Sequence, residues 1–135
     1  MHRSTVALSL VTALAACASN WPTLTATTPN PVGATVDCVA QQAKAKGYTV
    51  RVLDRHRGVE ATREDTTSRL YVQELNRNDV LTLETSADKG GTAIKLRAGS
   101  VGYYETRRGR TASDEPVSAA VRAAADSILA ACSKQ

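Results

Sequence analysis

The hydrophobic period of this 135-residue chain changes twice, from helical to alternating and back to helical, and that pattern limits the folds open to it. Val32, Val36, Val39, Ala40 and Ala43 recur at helical spacing and Gly47 stands where such a helix should stop, which predicts a helix of about 14 residues. Beyond Gly47 the period becomes two. Tyr48, Val50 and Val52 alternate with Thr49, Arg51 and Leu53; after Arg55-His56-Arg57-Gly58, Val59 and Ala61 alternate with Glu60 and Thr62, which predicts a hairpin. A second hairpin is predicted from Val80–Ala87 and Thr92–Ala98, flanking the turn signal Asp88-Lys89-Gly90-Gly91. Leu70 to Leu75 reads as a short strand or a turn of helix, and Asn76-Arg77-Asn78-Asp79 as a turn.

Helical spacing returns after Ser113 or Asp114, with Glu115 and Pro116 expected in the first turn and Val117, Ala120, Val121, Ala124, Ile128, Leu129 and Cys132 along one face. The fold expected is α+β: an antiparallel sheet of four or five strands, with an N-terminal and a C-terminal helix packed on one face. Ile94, Leu96 and Ala98 should face the helices, while Lys95, Arg97, Arg51 and Glu60 face away. The chain has no Phe, so aliphatic side chains must build the core. Residues 32–135 suffice for one domain.

Ahead of that domain, His2 and Arg3 precede an apolar stretch from Val6 to Ala16, which is too short for a permanent membrane span and reads as a secretory signal. It ends Leu14-Ala15-Ala16-Cys17, which resembles the lipobox of bacterial lipoproteins. The resemblance implies that residues 1–16 are removed and that the Cys17 thiol carries a diacylglyceryl group, with a further acyl chain such as palmitate on the freed amine. The covalent lipid is the only prosthetic group implied, and no separate cofactor is expected. Ala18 and Ser19, rather than an acidic residue, follow Cys17; in a two-membrane organism this favours the inner leaflet of the outer membrane, facing the periplasm. The alternative is ordinary cleavage after Ala18, releasing a soluble secreted protein.

Residues 17–31 are rich in Thr, Pro and Asn and read as a tether between anchor and domain. Trp21 within it could sit at headgroup level, pack on the domain, or do neither. Removal of Cys17 from the count leaves Cys38 and Cys132, an even pair in an oxidising compartment, open to a disulfide or to two separate buried thiols. Cys38 lies well off the valine stripe of its helix, a geometry that fits a bridge only if the two helices run side by side.

Catalytic signals are sparse. His56 sits between two arginines in a turn, and no close-spaced Cys or His pair suggests a metal site. Glu64-Asp65 should diverge along a strand, and Asp114-Glu115 reads as a helix cap. Gly90-Gly91 lacks the strand-to-helix context of a phosphate loop. A non-catalytic chain is therefore expected. A formal charge of +4 is too mild to point to nucleic acid.

The most distinctive segment is Gly99–Thr111, read as a long basic loop in which Tyr103, Tyr104, Arg107, Arg108 and Arg110 could contact a partner. The α+β layout looks like that of small envelope lipoproteins serving as accessory subunits of outer-membrane assembly or lipopolysaccharide-transport machines. That likeness implies a membrane-anchored interaction or scaffold module. The alternative is a binding module for an anionic envelope ligand, whether lipid headgroup, lipopolysaccharide or cell-wall polymer, held by the Tyr103 to Arg110 segment.

Overall fold

In the computed structural model, residues 20–54, 58–66, 70 and 73–134 are described. They form strands β1 (Thr23–Thr28), β2 (Thr49–Asp54), β3 (Gly58–Glu64), β4 (Glu74–Asp88), β5 (Gly91–Thr106) and β6 (Gly109–Glu115), and helices α1 (Val32–Ala45) and α2 (Ala119–Ser133). All strand pairings are antiparallel. The sheet runs β1-β5-β4-β3-β2, and β6 also pairs with β5. Because β4 occupies one edge of β5 throughout, β1 and β6 lie end to end along the other, β1 on Thr92–Arg97 and β6 on Ser100–Thr106.

The α+β architecture and the two helices on one sheet face follow the periodicity. Val36, Val39, Ala40 and Ala43 of α1 and Val121, Ala125 and Ile128 of α2 are buried against Val59, Leu81, Leu83, Ile94 and Leu96. Each full burial of a Val, Leu or Ile side chain among these is worth about 1.5–3 kcal/mol. Between β4 and β5 the turn is Asp88-Lys89-Gly90-Gly91, with φ of 42° at Lys89 and 86° at Gly90. Two left-handed central residues match the twist of the flanking strands, and Gly90 adopts that conformation without steric cost.

Among the described residues the sheet has six strands, more than the expected four or five, because two segments read as irregular are strands β1 and β6, and a third lengthens β4. Part of the tether is β1: Leu24, Ala26 and Thr28 turn inward and alternate with exposed Thr23, Thr25 and Thr27. Thr is polar in composition but β-branched, so it suits a strand while masking the alternation. Asn76–Asp79 is no turn; it continues β4, with Arg77 and Asp79 buried. Leu75 also belongs to β4 and Leu70 is exposed, while Tyr71 and Val72 lie outside the described residues.

The basic loop is likewise largely strand. The second half of β5 and all of β6 form a hairpin closed by Arg107 and Arg108, between the Thr106–Gly109 pair. Helix α2 therefore starts at Ala119 and not near Ser113. Asp114 and Glu115 end β6 instead of capping a helix, and the cap is Ser118, whose hydroxyl accepts from Val121 N at 3.1 Å.

The sulfurs of Cys38 on α1 and Cys132 on α2 stand at disulfide distance, with Cα atoms 5.8 Å apart. The helices lie side by side on the sheet. The flank of α1 that meets α2 is accordingly not the valine stripe that meets the strands, which explains the off-stripe position of Cys38.

Candidate functional site

Where the sheet outruns the helices, its inner face turns from apolar to ionic. Asp79 on β4 is fully buried. One carboxylate oxygen, Oδ1, accepts from Ser118 Oγ at 2.7 Å and Ser100 Oγ at 3.2 Å; the other lies 3.4 Å from Arg63 Nη2. Ser100 Oγ in turn accepts from Ser118 N at 3.1 Å, so Asp79 and Ser100 together fix the start of α2 on the sheet. Arg63 also donates to Lys46 O at 2.8 Å and lies over the Tyr48 ring, 4.4 Å from its centroid. Burial pushes the Tyr48 hydroxyl up to about 12.

Further along the same face, buried Arg77 makes a two-pronged ion pair with Glu74 at 2.8 and 3.0 Å. Tyr104 donates its hydroxyl to Glu115, and chiefly through this hydrogen bond its pKa rises to about 12. A carboxylate that receives the proton's hydrogen bond favours the neutral phenol. A shallow cleft of about 340 Å³, lined by Arg63, Asp65 and Asp79 among others, opens beside this ionic zone. Glu64 is exposed and Asp65 buried, so this adjacent pair diverges. Among the described residues no group of three His, Cys, Asp or Glu side chains is placed to hold a metal ion. His56 and Cys17 lie outside the described residues.

The five residues expected to act together in a loop are divided by the strand period. Tyr103 is exposed on the outer face, whereas Tyr104 turns to the inner face and Glu115. Arg107 and Arg108 occupy the tip of the β5–β6 hairpin. Arg110 pairs with Glu105 at 3.4 Å, and both are exposed. Tyr103, Arg107, Arg108 and Arg110 thus remain at the surface, and Tyr104 belongs to the interior network.

The outer face carries a feature that the sequence reading left open. Trp21 packs on β5 at Gly99, where a Cβ atom would come within 2.3 Å of the indole. Its Nε1 donates to Glu115 O at 3.2 Å, and the Arg97 guanidinium lies 5.2 Å from the ring centroid. With Thr23, Thr82, Glu84 and Lys95 these residues line a shallow cleft of about 440 Å³. Gly99 reads from sequence as the start of a loop, so the signal of a close approach that a glycine inside a strand gives is legible only once β5 is seen to run through it. No family model matches the chain, and no curated protein matches it.

Proposed function

We propose that this chain is a membrane-anchored bacterial envelope lipoprotein, lipidated at Cys17, whose α+β domain is a non-catalytic interaction or scaffold module. The observation that carries the non-catalytic reading is the internal commitment of three buried carboxylates. Glu74 is held by Arg77, Asp79 by Ser100, Ser118 and Arg63, and Glu115 by Tyr104. Groups tied in this way serve the fold, and the exposed surfaces are left to meet a partner. Export is supported independently by the Cys38 and Cys132 sulfurs at disulfide distance, an arrangement suited to an oxidising compartment.

Metabolic labelling with palmitate, followed by membrane fractionation, tests the anchor. Wild type should carry label and sediment with membranes, and Cys17→Ser should lose both. Unlabelled, soluble wild type would favour the secreted alternative.

A second reading, recognition of an anionic envelope ligand, is favoured by Arg107 and Arg108 at one hairpin tip with Tyr103 and Arg110 nearby. Binding through these residues should weaken steeply with salt and with Arg→Ala changes, whereas a protein-partner surface keeps most of its affinity in moderate salt.

A further inference from the structure

Among the described residues no helix covers the outer face of the sheet, and Trp21 lies against that face. Trp21 is fixed there by Gly99 and Glu115 O, and Cys17 is only four residues upstream. Fully extended, four residues span at most about 14 Å. The helix layer lies on the far side of the sheet, roughly 10 Å away before its own thickness is counted, so the lipid-bearing residue cannot clear the outer surface of that layer. A domain expected to hang on a long tether is instead held with its outer face, or the β1 and β6 edge beside it, toward the anchor.

Along this face the outward residues of β5 suit a lipid-water boundary. Lys95 and Arg97 are followed by Trp21 on Gly99, then Val101 and Tyr103, with Arg110 opposite Glu105 at the end. Lys95 to Tyr103 spans roughly 27 Å at strand rise. Glu84, Glu105 and Asp114 share this surface. On the strands Lys95, Arg97 and Arg110 equal these carboxylates in number, and Arg107 and Arg108 at the adjoining hairpin tip add a cationic excess beside the aromatic side chains.

We propose that, in the lipid-anchored protein, the outer sheet face along β5 lies on the headgroups of the leaflet that holds Cys17. Trp21 sits at headgroup level, with Lys95 and Arg97 against the phosphates of anionic lipids. This placement rests on the lipoprotein reading above.

Trp21 is the only tryptophan in the chain, so its fluorescence reports this surface directly. The test uses acylated protein purified from membranes and reconstituted in phosphatidylcholine vesicles with and without phosphatidylglycerol, and intact mass verifies the acyl chains. With phosphatidylglycerol, acrylamide quenching of Trp21 should fall roughly twofold and brominated acyl chains should quench it. Lys95→Ala/Arg97→Ala should keep its acyl mass and circular dichroism but lose the protection; Lys95→Ala, which leaves the Arg97 contact with Trp21 in place, should lose part of it.

Acylated wild type whose Trp21 stays open to acrylamide and untouched by brominated lipid would overturn the placement while leaving the anchor intact. Equal protection by inorganic phosphate in phosphatidylcholine vesicles would also overturn it, in favour of a small-anion site. A mass without acyl chains would overturn the lipoprotein reading itself, and this placement with it.

Discussion

At the scale of single residues, one close approach and one buried hydroxyl have measurable consequences. Gly99 leaves room for the Trp21 indole, and a methyl group there would need 2.3 Å where packing allows about 3.5–4 Å. Gly99→Ala should therefore cost about 1–3 kcal/mol in urea unfolding and shift Trp21 emission to the red as the indole leaves the sheet. Tyr48 is the second case. Its hydroxyl is buried, has no hydrogen-bond partner among the described residues, and titrates near 12 instead of its ordinary value near 10. A folded state that holds this proton more tightly than the unfolded chain keeps the associated stability below pH 10 and loses it as pH rises toward 12. The loss should be about 2–3 kcal/mol for Tyr48. Tyr104 adds to it in the same direction and the same window. Tyr48→Phe should be neutral or slightly stabilising at pH 7, and its alkaline decline should be smaller than that of wild type, as thermal unfolding across pH 8 to 12 would read out.

At the scale of elements, α1 and the β4–β5 turn were legible because each carries its own local signal: a valine stripe ended by Gly47, and a four-residue turn with Gly at its left-handed position. β1 and the far half of the β4–β5–β6 region were not. In β1 the threonines mask the alternation; in the β4–β5–β6 region the inward positions hold Arg77, Asp79, Ser100, Gly102 and Glu115 instead of apolar residues, so alternation persists in the backbone but vanishes from hydropathy. A buried ionic network looks like a turn or loop when read by composition. The start of α2 was misplaced for the same reason, since Asp114, Glu115 and Pro116 resemble a first helical turn while the geometry assigns the cap to Ser118. Ser118→Ala should cost about 1–2 kcal/mol as a lost cap, with a further penalty because Asp79 loses a donor. Ser118→Thr, which keeps the hydroxyl, should recover most of the difference in the same denaturation series. Of the candidate surface, the outward Lys95 and Arg97 could be read from alternation; Trp21 could not be placed, because its contact with Gly99 joins residues far apart in sequence.

At the scale of the whole molecule, the Cys38 and Cys132 pair joins the two helices across a sequence separation of 94 residues. A bond closing a loop of that length is worth roughly 4–5 kcal/mol in the chain-entropy account, so reduction should lower the urea midpoint without changing the fold. Trp21 and β1 extend the folded unit toward the N-terminus, so that under the proposed lipidation only the few residues after Cys17 separate lipid from sheet. Attachment of this domain to a membrane by a lipid on Cys17, as proposed, is open to intact mass spectrometry of the native membrane fraction. The wild-type species should lack residues 1–16, carry acyl chains that Cys17→Ser loses, and gain two hydrogens on reduction. A soluble, unacylated species beginning at Ser19 would contradict it.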